Sequence, residues 1–264
     1  MYDYHTHTNF SEDGRAPMTE MICAAVKAGL KEIAITDHYD PDYPDPNWPS
    51  NLDLESYHKE MEDTSSRYKE KIKLIKGIEI GIQHGKTLDK CRKVVTSYNY
   101  DFVLGSFHCA EGFDLAFGGF FDHRSVEEAT VAFYQYNYDC LSVYDDYDVL
   151  GHINVVDRYG PYIPESDSYM DILSEVLSLL ISKGKGIEIN TSSFRYGMGE
   201  HTTPTEEMLK RYQELGGEII TIGSDAHAPE HLGYGLEWGY EKLKSVGFRY
   251  VTTFNQRQPN FIKL

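Results

Sequence analysis

The sequence predicts an α/β fold in which a parallel sheet closes into a barrel wrapped by helices. Two observations carry this. Short apolar runs alternate with helical stretches along the whole chain, the βαβα order of parallel sheets. Residue types that bind metals stand just after the first, second, third, fourth, fifth and seventh of those runs. A doubly wound open sheet gathers its ligands near one switch point. Closure brings six strand ends to one centre, and barrel sites lie at that C-terminal face.

Each element has a local cause. Tyr2-Asp3-Tyr4 is a first strand, followed by His5-Thr6-His7. Side chains two apart in a strand project together, so both imidazoles can reach one cation. The loop over 8–15 carries Asp13, and Pro17 opens a helix over 18–28 that Gly29 ends. EIAIT at 32–36 is a second strand, leading to Asp37-His38. Residues 39–51, rich in Pro, Asp, Asn and Tyr, form a long loop. A polar amphipathic helix over 54–71 precedes KLIKGIEI at 73–80, a third strand with Glu79 near its end. A helix over 86–97 and the strand DFVLGS at 101–106 lead into His108 and a Gly- and Phe-rich loop, 109–123. Ser125 suits an N-cap, with Glu127 and Glu128 in the first turn of a helix reaching residue 144. YDVLG at 147–151 is the fifth strand; His152 follows, and Arg158 lies in the loop beyond. Next come a helix over 167–183, the strand GIEIN at 186–190, and a loop, 191–203, with Arg195. The helix over 204–215 is closed by Gly216-Gly217. EIITIG at 218–223 is the seventh strand, and Ser224-Asp225-Ala226-His227 follows it. A helix near 238–246 and an eighth apolar run near 248–253 complete the chain. No linker, repeat or low-complexity tract interrupts this order, so residues 1–264 are expected to be one domain.

Composition narrows the function. A hydrophobic share of 41% supports a sizeable core. A net charge of −17, with no Lys/Arg run longer than two, argues against a nucleic-acid partner. No apolar run reaches membrane-spanning length, so no membrane partner is expected. The chain enters a strand at once without a signal segment, and a cytoplasmic location is expected. Cys23, Cys91, Cys109 and Cys140 form no C-x-x-C pair; Cys23, Cys91 and Cys140 fall in helices and are expected to be small buried hydrophobes.

Nine residues are candidate metal ligands: His5, His7, Asp13, His38, Glu79, His108, His152, Asp225 and His227. One ion takes about four to six ligands, so two to three divalent ions are expected, with Zn, Mn or Fe suiting imidazole and carboxylate. A carboxylate is the usual bridge between close cations, and Glu79 is the natural candidate. Adjacent cations acidify a bound water and clamp a phosphoryl group, which favours phosphoester hydrolysis. Hydrolysis of amides or cyclic ureas uses similar centres. His58, His84 and His123 lie away from strand ends and are expected to face solvent.

Six motifs then carry a resemblance: His5-Thr6-His7-Thr8, Thr36-Asp37-His38, the strand-end Glu79, Ser106-Phe107-His108, Gly151-His152 and Ser224-Asp225-Ala226-His227. Together they resemble the polymerase-and-histidinol-phosphatase (PHP) family across residues 5–233. The resemblance implies a distorted (β/α)7 barrel, with the eighth run outside it, and a trinuclear centre. It divides the ligands into His5, His7, Glu79 and Asp225 for one ion, Glu79, His108 and His152 for a second, and Asp13, His38 and His227 for a third. Asp13 is a departure, because many members carry histidine there. The size, the lack of a fused polymerase and the run from Ser224 to Gly233 imply hydrolysis of L-histidinol phosphate, a step of histidine biosynthesis, by a metal-activated hydroxide. The alternatives are another small phosphomonoester, an amidohydrolase-type reaction, or a metal-dependent sensor. An amidohydrolase typically bridges its metals with a middle-strand lysine, which is missing here.

Roles follow from that substrate. Asp225 is expected to assist the attacking hydroxide while His227 stays a ligand. Glu111 is expected to meet the ammonium, and Phe117, Tyr39, Tyr43 and Tyr159 to offer ring surface to the imidazole. Arg158 and Arg195 are expected to fork onto the phosphate. Arg195 would fill a vacancy beyond strand six, which supplies no metal ligand. The pattern favours neither monomer nor dimer.

Overall fold

The computed structural model describes residues 1–48, 52–117, 119–199 and 201–264; residues 49–51, 118 and 200, within three of the expected loops, lie outside the described residues. Seven parallel strands form a ring in sequence order: β1 (Tyr2–Asp3), β2 (Glu32–Ile35), β3 (Lys73–Gly81), β4 (Phe102–Ser106), β5 (Val149–Leu150), β6 (Gly186–Asn190) and β7 (Ile220–Gly223). Extended chain beyond β1 closes the ring. Tyr4 N donates to Ile222 O at 3.0 Å, Asp225 N to His5 O at 2.8 Å and His7 N to Ala226 O at 2.8 Å. On its other side Thr36 N donates to Thr6 O at 2.8 Å. The expected barrel is therefore present, nearly closed.

Among the described residues seven α-helices connect and cover the strands: α1 (Met18–Lys27), α2 (Leu54–Tyr68), α3 (Lys86–Ser97), α4 (Val126–Val143), α5 (Met170–Ser182), α6 (Glu206–Glu214) and α7 (Leu236–Val246). In α1, Met18, Met21, Ile22 and Ala25 are buried, the spacing of one helical face. In α4, Ser125 accepts from the Glu128 amide and Glu128 returns a bond to the Ser125 amide, a complete capping box.

The pleat divides the strands between two cores. Ile33, Ile35, Leu74, Ile78, Ile80, Val103, Leu150, Ile187, Ile189, Ile220 and Ile222 join the layer that includes the helices. Ala34, Ile75, Phe102, Leu104 and Val149 pack together with Tyr4 as a second cluster, and Phe254 completes it. Each Val, Leu, Ile or Phe among them, fully buried, contributes about 1.5–3 kcal/mol. On that second parity, further along β3, β4 and β6, stand Glu79, Ser106, Glu188 and Asn190, all wholly buried. One pleat therefore carries apolar filling at the start of the strands and polar groups at their ends.

Several local expectations change. The eighth run is β8 (Tyr250–Asn255), which lies outside the barrel as the resemblance implies. It pairs antiparallel with β9 (Gln258–Lys263), a strand hidden in the sequence by its polar residues and Pro259. His38–Tyr39 continue as a short strand beside β3, with His38 opposite Glu79. The loop after β4 begins with a tight hairpin, Cys109–Ala110 against Phe113–Asp114. Cys23 is exposed, unlike the buried Cys91, Cys109 and Cys140. His58 is half-buried, stacked on Tyr98 at 3.7 Å and bonded to Tyr100 at 2.8 Å, because its helix packs beside those rings. His84 and His123 are exposed.

Candidate metal centre

Strand ends, and for Asp13 the loop after β1, deliver the nine candidates to one place. His5 and His7 come from the chain beyond β1, His38 from beyond β2 and Glu79 from β3 itself. His108, His152, Asp225 and His227 follow β4, β5 and β7. Glu79 is at the middle. Its Oε2 lies 3.4 Å from His5 Nε2, 3.6 Å from His7 Nε2 and 2.8 Å from His38 Nδ1. Its Oε1 lies 3.3 Å from His108 Nε2 and 3.1 Å from His152 Nε2. The two oxygens of one carboxylate thus face two sets of imidazoles. Asp225 Oδ1 lies 3.7 Å from His5 Nε2 and 3.5 Å from His7 Nε2. Asp13 joins at the edge, with Oδ2 3.0 Å from His227 Nε2 and Oδ1 3.7 Å from His38 Nε2.

The donor set fits divalent cations. His5 Nε2, His7 Nε2, His38 Nδ1, Glu79 Oε2 and His227 Nε2 are buried and, close as they lie to one another and to Asp13, make no hydrogen bond of good geometry among the described residues. Buried polar atoms are ordinarily paired, so this convergence calls for a ligand. Four groups have donor atoms within 4.8 Å of one another: His5/His7/Asp225, His5/Glu79/His152, His38/Glu79/His108 and His7/His38/His227. The second and third have Glu79 in common, which accords with a carboxylate shared between sites.

A second ring of residues aims the first. Glu188 accepts from His5 Nδ1 at 2.8 Å, and Asp40 from His108 Nδ1 at 2.8 Å. Ser11 Oγ lies 3.2 Å from His7 Nδ1, and the Asp225 carbonyl 3.0 Å from His227 Nδ1. Each holds Nδ1 from outside and leaves Nε2 pointing inward. Two glycines make room for the carboxylates. A Cβ at Gly81 would overlap Asp40, and one at Gly223 would overlap Glu188 and His5.

Electrostatics sort the donors. Burial raises Glu79, but the His5, His38 and His108 imidazoles reverse this and hold its carboxyl well below the usual range. Asp225 is held low in the same way, against burial, chiefly by His5 and His7. Burial, with His227 and His38 nearby, keeps His7 neutral. Burial opposes charge on His5 as well, yet Glu188, Glu79 and Asp225 draw it well above its ordinary value. Protons on such imidazoles are the positive charge that cations can replace.

Above the cluster lies a cavity of about 230 Å³. Tyr43, Phe117, Arg158 and Tyr159 line it, with Asp13, His38, His108, His152, Asp225 and His227 at its base. Tyr43 donates to Asp114 at 2.8 Å, and Phe117 is 88% exposed at the rim. Arg158 lies 3.9 Å from the Tyr196 ring and donates to Ser192 Oγ at 3.0 Å. Three candidates are placed elsewhere. Glu111 sits at the turn of the hairpin, at φ 53°, and pairs with Arg124 at 2.8 Å; the turn carries its carboxylate out of the cavity lining. Tyr39 is held in the short strand beside β3 and is absent from the lining. Arg195 also lies outside the lining, because its Nη2 turns to the carbonyls of Ser224 and Asp225, both at 2.8 Å.

Strand β6 is no vacancy: Glu188 and Asn190 stand behind the histidines. Sequence reasoning missed them, together with Asp40, Ser192, Trp48 and Tyr196. One signal was available, since KGIEI occurs at both 76–80 and 185–189 and places Glu79 and Glu188 at matching points of two strands.

A family model, the PHP domain, matches residues 3–192. A histidinol-phosphatase of Lactococcus lactis subsp. lactis is 31% identical over 259 residues, 96% of this chain and 94% of the relative. A relative from Clostridium acetobutylicum is 32% identical over 241 residues, 90% of each chain. Among solved structures, histidinol phosphate phosphatase from Lactococcus lactis, complexed with zinc, L-histidinol and phosphate, superposes with a TM-score of 0.89 at 29% identity, covering 98% of both chains.

Proposed function

The chain belongs to the PHP domain family, and from that membership we propose that it hydrolyses L-histidinol phosphate to L-histidinol and inorganic phosphate, serving histidine biosynthesis. The observation that carries the reading is the convergence of the nine donors, with Glu79 at their middle, beneath a cavity that Arg158 lines. The similarity to a phosphatase structure holding zinc, L-histidinol and phosphate supports the choice of substrate. The activity is assigned to residues 1–264 as one domain, with a centre of two to three divalent ions, Zn, Mn or Fe, on the nine donors. Such ions, when bound, acidify a water molecule and neutralise phosphate oxygens.

The protein's own groups do the rest. Arg158 presents a planar, permanently charged fork to the phosphate. Asp225 takes the proton of the attacking water at Oδ1, while Ser192 Oγ at 3.0 Å and Asn190 Nδ2 at 3.3 Å hold Oδ2. His227 remains a ligand, with Asp13 beside it. Tyr43, Trp48, Phe117 and Tyr159 surround the leaving alcohol. Among the described residues no helix is long and apolar enough to cross a membrane. The charge of −17 and the four free thiols favour a cytoplasmic enzyme acting on a small substrate rather than on a nucleic acid.

The test is phosphate release from a panel of L-histidinol phosphate, nucleotides and sugar phosphates, run with Zn, Mn or Fe and with metal analysis. L-histidinol phosphate should exceed every other member at least about tenfold in kcat/KM, a difference of roughly 1.4 kcal/mol in transition-state binding. Equal turnover of another phosphomonoester would reassign the substrate. Hydrolysis of cyclic amides in place of phosphoesters would reassign the reaction.

A further inference from the structure

We propose that Glu188 is a positioning residue that ties two ion sites into one unit by holding His5 and His152 together from behind. The inference rests on reading the cluster as a centre of several divalent ions. Glu188 is wholly buried on β6, and its ion-pair partner among the described residues is His5, not a lysine or arginine. A carboxylate in that position is costly unless donors satisfy it. Oε1 accepts from His5 Nδ1 at 2.8 Å. Oε2 accepts from the His152 backbone amide at 3.0 Å and from Asn190 Nδ2 at 3.1 Å.

Each bond fixes a different degree of freedom. The first selects the His5 tautomer whose Nε2 faces Glu79 and Asp225. The second anchors a strained residue, since His152 has φ 21°, a sparsely allowed value for a non-glycine. His5 and His152 stand 5.7 Å apart ring to ring, and they share the His5/Glu79/His152 group. His5 also belongs to the His5/His7/Asp225 group. The His7/His38/His227 and His38/Glu79/His108 groups contain neither residue. The role requires a carboxylate. Glutamine has one acceptor and one donor end, so either His5 Nδ1–H or the His152 amide would face an NH2 group.

The experiment is Glu188→Gln, with zinc-loaded parent and variant titrated against a competing chelator while metal content is measured. The ions held through His5 and His152 should be lost from the variant at about 10- to 100-fold lower chelator strength, the usual effect of removing an outer partner. The ion held through His38 and His227 should keep the parent's midpoint. A protected downfield imidazole N–H resonance, absent from His5→Ala, should be present in the parent and either lost or moved upfield in E188Q, where at best a neutral amide oxygen replaces the carboxylate. E188D keeps both acceptors but withdraws them by one methylene, so the same ions should again be lost early; this variant carries the test if E188Q does not fold. Parental midpoints for every ion in the folded variant would overturn the proposal, as would equal weakening of all of them. A parent that holds at most one ion would instead overturn the multinuclear reading itself.

Discussion

Two arginines at strand-end loops behave differently once their neighbours are known. Arg158 has one face against Tyr196 and one nitrogen on Ser192, and its Nε is buried without a partner among the described residues. Arg158 also lines the cavity, and a guanidinium with N–H groups left unspent suits phosphate oxygens. Arg158→Ala should cost about 2–5 kcal/mol, or roughly 30- to 5,000-fold in kcat/KM. KM and phosphate inhibition should carry most of the change, with metal content intact. Arg158→Lys should recover only part, because an ammonium cannot fork. Arg195 grips the carbonyls of Ser224 and Asp225, and Asp225 has φ 54°. Arg195→Ala should therefore lower kcat and metal retention together. Kinetics and metal analysis of both variants check this; alanine variants within about threefold of the parent would place the clamp elsewhere. Spacing from the strand ends marks both arginines in the sequence. It cannot say which one reaches the cavity, since that depends on what each meets on other loops.

Among the elements, the terminal hairpin is the least expected. Phe254 of β8 is 2% exposed and packs with Tyr4, Ala34, Ile75, Phe102, Leu104 and Val149, away from the ligands at the strand ends. Its backbone amide donates to Tyr4 Oη at 2.8 Å. Phe254→Ala should destabilise the fold by about 3–5 kcal/mol and lower Tm by roughly 10 °C. Metal content per folded chain should not change, because the loss lies at the start of the strands. Thermal unfolding with metal analysis separates the two effects; a loss of ions at constant Tm would contradict this placement. The elements most legible in the sequence have strong local signals. The helix Lys86–Ser97 and the strand Gly186–Asn190 fall where their patterns put them. The hairpin after β4 and the strand β9 do not announce themselves, because a two-residue strand has no period and an exposed edge strand tolerates polar residues.

For the whole molecule, the metal centre links pH to stability. In the metal-free protein burial lowers the His38 pKa, but the Glu79 and Asp13 carboxylates outweigh it and raise it from 6.5 to about 9. A raised imidazole stabilises the fold fully below its unfolded value and loses that contribution as pH rises through its folded value. The Tm of chelator-treated protein should therefore fall between about pH 6.5 and 9. Bound cations replace the proton, so the loaded protein should be flatter over that range and more stable, by about 4 kcal/mol at a thousandfold excess over Kd. Scanning fluorimetry of both forms tests this; parallel curves would mean that cations and protons do not share the site.

The order of strands and helices, and the histidines and carboxylates waiting at strand ends, were set by the sequence alone. Periodicity, caps and turn residues act over a few positions, so they can be read from neighbours. The tertiary structure decided what depends on residues far apart in the chain. Closure joins Tyr4, His5 and His7 to Ile222, Asp225 and Ala226, near opposite ends of the chain. The inward nitrogen of His5 is chosen by Glu188, and that of His108 by Asp40. Glu111 leaves the cavity because a hairpin turns it away, and Arg195 leaves the lining because two carbonyls capture it. Hydrogen bonds between separate strand ends make those choices, and residue spacing along one chain carries no record of them.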